Sequence, residues 1–262
     1  MFDRPIDLAE ARVLLSNDDG IDAPGLLLLE KIARELCGDV WVVAPEQEQS
    51  GASHSLTLRR PLRIRQCGEQ RFAIDGTPTD CVLLGIKHVM RDRRPTLVLS
   101  GINAGGNAGE DITYSGTVAA AMEATLLDVP SIALSLHYTR GKGPLRWETA
   151  EAHAGEVIRR LVASPWPYNT LINVNFPDVP PDEVSGYVVT RQGRRKLGDN
   201  LSERIDPRGV PYYWIGPMRD EDPNQPGTDI RALNEGAVTI TPVFLDMTHV
   251  PALDELKKVF PE

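Results

Sequence analysis

Five short apolar runs, separated by segments of helical pattern, constrain the fold of this chain more than any other feature. They are RVLLS (12–16), VWVVA (40–44), TLVLSG (96–101), SIALSL (131–136) and LINVNF (171–176). Each is too short to make a helix of ordinary length and lacks the polar alternation of a half-exposed strand, so each reads as a strand covered on both faces. Helical patterns lie between them. PGLLLLEKIARELCG (24–38) opens on proline and closes on Gly38, the asymmetry expected of a helix start and stop. TPTDCVLLGIKHVMR (77–91) offers Thr77 as a cap and Pro78 at the first helical position. SGTVAAAMEATLL (115–127) and residues 147–163 complete the set. The pattern predicts an α/β fold in which a mostly parallel sheet lies between two helical layers.

Elsewhere the pattern is looser. A polar loop follows Pro45, and two or three shorter strands are expected around LTLRRPLRIR (56–65) and RFAID (71–75). Residues 192–226 are rich in charge, glycine, proline and aromatic side chains, including RRK and YYW, and read as a projecting hairpin arm. The tail returns to order with a short helix over TDIRALNE (228–235), a strand over AVTITP (237–242) and a terminal helix over ALDELKKVF (252–260). With 262 residues and no internal repeat, the expectation is one α/β domain over 1–262 with the arm appended.

Composition removes several classes of function. A net charge of −9 argues against a surface for duplex nucleic acid, which needs a basic face. No stretch approaches the roughly 18 apolar residues of a membrane span. The opening MFDRPIDLAEARVLLS lacks the basic-then-apolar order of a secretory signal, so a cytoplasmic location is expected. Cys37, Cys67 and Cys81 are far apart and form no CxxC pair, which signals neither a disulfide framework nor a thiolate metal site.

In an open sheet flanked by helices, ligands sit beyond the carboxyl ends of the strands. Three polar loops occupy that position: NDDG (17–20), PEQEQSGAS (45–53) and SGINAGGNAGEDITYSGT (100–117). Asp18 and Asp19 are adjacent acids at the end of a buried strand. At about 4 Å and an effective dielectric of 20, two such charges repel by roughly 4 kcal/mol, a penalty that a cation removes. A helix cap by one acid, with the other in water, accounts for an isolated pair equally well. Ser50 and Asn103, in the other two loops, add neutral oxygens, and an all-oxygen set suits magnesium, manganese or calcium rather than zinc.

The third loop carries Gly101, Gly105, Gly106 and Gly109 and runs into Ser115-Gly116-Thr117 at a helix start. Free amides and the positive end of the helix dipole make that start an anion site, with simple capping by Ser115 or Thr117 as the alternative. The sequence contains no GxxxxGK[ST], GxGxxG or GxSxG motif. The five histidines read as structural or solvent-facing, with His54 close in sequence to Ser50.

The same loops resemble those of the SurE survival-protein nucleotidases. The resemblance is collinear across SNDDGIDAPG (16–25), VVAPEQEQSGASHSLTL (42–58), IDGTPTDCVLLG (74–85), LVLSGINAGGNAGEDITYSGTVAAAMEA (97–124) and GTDIRALNEGAVTITP (227–242). It implies a Rossmann-like three-layer α/β/α sandwich. It further implies one divalent metal ion, Mg2+ or Mn2+ with Ca2+ as a crystal substitute, held by Asp18, Asp19, Ser50 and Asn103, and phosphate contacts from Asn107, Ser115, Gly116 and Thr117.

Such a family member is expected to hydrolyse nucleoside 5′-monophosphates, in some cases 3′-monophosphates and short polyphosphate; for this chain the mechanism expected from the residues is attack by a metal-bound water that Asp18 or Asp19 orients. It assembles as a homodimer or homotetramer by arm exchange. The partners implied are therefore a small nucleotide and further copies of the chain, with no duplex and no membrane. Two other readings fit the same residues: an aspartyl-phosphate phosphatase in which Asp18 or Asp19 attacks directly, and a non-enzymatic nucleotide or phosphate sensor.

Overall fold

A computed structural model of the chain describes residues 5–139, 143–197, 201–215, 219–221 and 224–260. The five apolar runs are the heart of its sheet: β1 (Arg12–Ser16), β2 (Asp39–Pro45), β5 (Leu97–Ala104), β6 (Ser131–Leu136) and β7 (Thr170–Phe176). With β3 (Ile64–Gly68), β4 (Arg71–Ile74), β8 (Tyr187–Val189) and β13 (Val238–Phe244), they form nine strands in the order β3-β4-β2-β1-β5-β6-β7-β13-β8. The run from β4 to β7 is parallel throughout, β3 pairs antiparallel with β4 and β13 with β7, and β8 runs parallel to β13.

Side chains alternate across these strands and feed two cores. Val13 and Leu15 face a layer that contains Leu26, Leu29 and Ile32 of α1 (Pro24–Leu36) and Ala154, Val157 and Ile158 of α4 (Trp147–Val162). Leu14, from the opposite face of β1, packs with Cys81 and Val82 of α2 (Pro78–Leu84) and Ala120 and Ala124 of α3 (Gly116–Leu126). The result is the three-layer α/β/α sandwich.

The helix starts follow the local chemistry. Pro24 opens α1, and Thr77 caps α2 in a full capping box, its side chain accepting from the Asp80 amide while Asp80 accepts from the Thr77 amide at 2.9 Å. Three details depart from expectation. Gly38 does not cap α1, because the chain leaves that helix through an extended Cys37. Residues 56–62 make no strand, since the Thr57 amide is tied to Asp80 and β3 begins only at Ile64. β8, the three residues Tyr187–Val189 at the sheet edge, is an additional strand whose apolar run is too short to mark one by length.

The arm contains an antiparallel hairpin, β10 (Leu201–Ile205) with β11 (Pro211–Ile215), and a second pair, β9 (Arg195–Leu197) with β12 (Arg219–Glu221). Tyr212, Tyr213 and Trp214 are exposed on the hairpin. Its root is anchored. The buried guanidinium of Arg195 lies 2.9 Å from Asp111, and the carboxylate of Asp229, ahead of β13 on α5 (Asp229–Asn234), accepts from the Gly193 amide at 2.7 Å and the Gly109 amide at 2.9 Å. The last helix, α6 (Val250–Val259), has no buried residue.

Candidate active site

Chain order reverses between β1 and β5. From β1 the chain winds outward through β2 and β4, then crosses to β5 and winds the other way through β6 and β7. The loops that leave the two strands therefore diverge and open a crevice at their carboxyl ends. A cavity of about 550 Å³ lies there. NDDG reaches it from β1, the loop with Ser50 from β2, and the glycine-rich segment from β5, so the three loops singled out in the sequence meet at one place.

Asp18 is 4% exposed. One of its carboxylate oxygens accepts the Thr117 hydroxyl, and its main-chain carbonyl accepts the Gln49 amide at 2.8 Å, joining the first loop to the second. Burial is the main cause that raises its pKa to about 6; the Thr117 hydrogen bond opposes the rise and the charge of Asp19 adds to it. Asp19 is also raised, first by burial and then by Glu48, against a hydrogen bond from the Ala104 amide at 3.2 Å. Neither acid caps α1, whose N-cap is Ala23 with no side-chain bond. Capping therefore does not explain the pair.

Ser50 and Asn103 both border the cavity. The Asn103 amide nitrogen donates to the Gly105 carbonyl at 2.8 Å, which leaves its side-chain oxygen as the atom that could hold a cation. Ser50 donates to Glu48 at 2.8 Å. Glu48, in the same loop, was not singled out in the sequence, although an acid two residues before a candidate ligand is a usable signal. Among the described residues no three His, Cys, Asp or Glu side chains gather as a metal cluster. The donor set is two carboxylates with neutral oxygens, the composition that suits a hard cation keeping some water.

Of the four residues expected to contact phosphate, Asn107 and Ser115 line the cavity. Ser115 lines the cavity and caps α3, its oxygen accepting the Val118 amide at 3.1 Å, so capping leaves its hydroxyl proton free to be donated. Asn107 lines it too, with its amide nitrogen donated to Ser135 at 2.8 Å. Gly116 sits against Asp18: an added Cβ would lie 2.7 Å from the Asp18 Cβ. Thr117 does not line the cavity. It is fully buried, and its hydroxyl holds Asp18 instead of facing the cavity.

Tyr114 and Trp147 supply aromatic surface to the wall. Trp147 comes from the stretch after His137, which the motifs do not cover, and nothing local marks it. His54 is not on the wall; its ring nitrogen lies 3.0 Å from Glu123.

The sequence profile of the family described as survival protein SurE matches residues 13–199. The chain belongs to the SurE family. It is 57% identical over 254 residues to a protein of Paramagnetospirillum magneticum named 5′-nucleotidase SurE, covering 97% of each. It is 56% identical over 262 residues to one of the same name from Rhodospirillum rubrum, covering 99% of this chain and 100% of the relative. The crystal structure of a SurE protein from Aquifex aeolicus superposes with a TM-score of 0.82 at 39% identity, covering 95% of this chain and 99% of the other. The SurE motifs and the cavity coincide: the matched span includes all three loops that build it.

Proposed function

We propose that the chain is a divalent-cation-dependent phosphomonoesterase that hydrolyses nucleoside 5′-monophosphates to nucleoside and phosphate, with 3′-monophosphates and short polyphosphate as further substrates. One observation carries the cation requirement. Asp18, Asp19 and Glu48 border the cavity, with Asp111 paired to Arg195 at 2.9 Å, and among the described residues no Lys or Arg lines it. A phosphate dianion brought to that wall meets the like charge of Asp18, Asp19 and Glu48, offset only by the positive end of α3, since Arg195 is committed to Asp111. A helix terminus contributes about 0.3 to 1 kcal/mol per charge, too little to offset repulsions of several kcal/mol. A cation reverses the local field.

Asp18, Asp19, Ser50 and Asn103 would hold Mg2+ or Mn2+. When bound, such an ion neutralises phosphate charge and lowers the pKa of water, the Lewis-acid chemistry that the slow hydrolysis of phosphate monoesters requires. The chain's own groups do the rest. Ser115 and Asn107 donate hydrogen bonds to the phosphate, with the first turn of α3 behind them. Asp19, whose second oxygen is not taken by the Ala104 amide, orients the attacking water. Thr117 and Gly116 fix Asp18. Tyr114 and Trp147 give the nucleoside an apolar wall in a cavity of ligand size.

Phosphate release from 5′- and 3′-nucleotides, a sugar phosphate and polyphosphate, each with EDTA and after Mg2+ or Mn2+ is restored, tests this reading. The 5′-nucleotides are expected to give the highest kcat/KM, falling to background in EDTA and returning with the cation. Undiminished turnover in EDTA refutes it.

The arm is the proposed means of self-association, into dimers or tetramers. Its hairpin exposes Tyr212, Tyr213 and Trp214, an apolar group that an isolated soluble chain does not retain without use. Replacing residues 201–215 by a short linker keeps the Arg195 anchor and is expected to yield monomers by light scattering. A dimer of unchanged stability would show that exchange of the hairpin is not what joins the subunits. A cytoplasmic location accords with this substrate class, and among the described residues no helix is long and apolar enough to cross a membrane.

A further inference from the structure

Three adjacent strands end in one polar row. The register sets Asn103 of β5 beside Ser135 of β6, and Ser135 beside Asn175 of β7. Two residues earlier on β7, Asn173 shares the Asn175 face. Ser135 on β6 and Asn173 and Asn175 on β7 are fully buried, the two asparagines alternating with the apolar Ile172, Val174 and Phe176. Buried amides are unfavourable in such a place unless a hydrogen-bonding partner compensates. Their common partner is Asn107.

The bonds leave Asn107 little freedom. Its main-chain N–H donates to the Asn175 side-chain oxygen at 2.8 Å, and the Asn175 amide nitrogen returns a bond to the Asn107 carbonyl at 3.1 Å. The Asn173 amide donates to the same carbonyl at 2.8 Å. Ser135 accepts from the Asn107 side-chain nitrogen at 2.8 Å. β7 thus grips the main chain of Asn107 with side chains, and β6 sets its amide rotation. An amide nitrogen carries two hydrogens. With one on Ser135, the other remains for an anion in the cavity that Asn107 lines.

We propose that Asn173, Asn175 and Ser135 are positioning residues that hold Asn107 in register for phosphate and turn its NH2, rather than its oxygen, toward the anion. This inference rests on the reading of Asn107 as a phosphate contact. Loosening the grip lets the amide rotate and present its oxygen to the phosphate, replacing an attraction by a repulsion while leaving the four cation-holding residues in place.

The test is the affinity of the full-length protein for inorganic phosphate with Mg2+ present, measured calorimetrically beside its affinity for Mg2+ alone. Ser135→Ala is expected to weaken phosphate binding about tenfold, the size of one hydrogen bond to a charged group, with Mg2+ affinity unchanged. Ser135→Thr, which keeps the hydroxyl, retains the affinity. Asn175→Ala, where it folds, shows the same selective loss. The deciding comparison is the double variant: in an Asn107→Ala background, Ser135→Ala is expected to have no further effect. Equal losses from Ser135→Ala in both backgrounds overturn the proposal, as does unchanged phosphate affinity in Ser135→Ala. If Asn107→Ala alone leaves phosphate affinity intact, the parent reading fails and the proposal falls with it, a result distinguished by appearing in the Asn107 variant itself.

Discussion

Asp19→Asn is expected to lower kcat for nucleoside monophosphates by about 10³ or more, with little change in melting temperature in the absence of cation. The size follows from the role: Lewis-acid stabilisation of transition-state charge is worth several kcal/mol, and each ~1.36 kcal/mol is a factor of ten in rate. The stability should not fall, because Asp19 is only partly buried, its bond from the Ala104 amide can be made to an asparagine oxygen, and the charge removed is one that burial and Glu48 disfavour, which favours a small gain at neutral pH. Single-turnover phosphate release on the purified variant checks it. Activity within a factor of ten of wild type at saturating Mn2+ would remove Asp19 from the site.

The second large effect concerns stability and has the opposite sign from most active-site damage. The carboxyl of Asp18 has a pKa of about 6 in the fold against an ordinary value of 3.8. A raised acid binds more protons folded than unfolded between those values, so without cation stability falls as pH rises from about 4 to 6 and stays low above that. The integrated penalty at neutral pH is about 3 kcal/mol, at ~1.36 kcal/mol per tenfold of proton affinity.

Asp18→Asn removes a charge that is unfavourable in the cation-free fold and keeps an oxygen for the Thr117 hydroxyl. In EDTA at pH 8 it is therefore expected to stabilise the protein by up to about 3 kcal/mol, an advantage that vanishes near pH 4, where Asp18 is protonated anyway. Mn2+ should raise the melting temperature of wild type and not of the variant. Calorimetry across pH, with and without cation, reads both. A variant less stable than wild type at pH 8 in EDTA would show that a group of the fold already neutralises Asp18. An acid kept at a cost to stability belongs with sites retained for function.

The central strands were legible because parallel strands buried on both faces need continuous apolar runs, and those runs carry their own length. The loops were legible because chemistry concentrates where such strands end: Asp18, Asp19, Ser50 and Asn103 all border the one cavity. What sequence did not reveal depends on partners far along the chain. Asn173 and Asn175 sit inside LINVNF and read there as part of an apolar strand, since their purpose is set by Asn107, 66 and 68 residues away.

Arg195 lies in a polar arm, yet the fold buries it against Asp111. Thr117 belongs to the triplet expected to bind phosphate, but α3 approaches β1 closely enough, across Gly116, for its hydroxyl to meet Asp18. β8 was missed because three edge residues leave no periodic signal. Local pattern specifies elements, whereas the roles of buried polar side chains are fixed only when the elements pack.

All of this turns on whether Asp18 and Asp19 hold a divalent cation. Titrating Mn2+ into the metal-free protein, with the free ion followed by electron paramagnetic resonance, measures that directly. One tight site per chain is expected in wild type, weakened at least about 100-fold in the Asp18→Asn, Asp19→Asn double variant, since even indirect support of a metal ligand is worth 10 to 100-fold. The same Mn2+ affinity and stoichiometry in the double variant as in wild type would contradict the account.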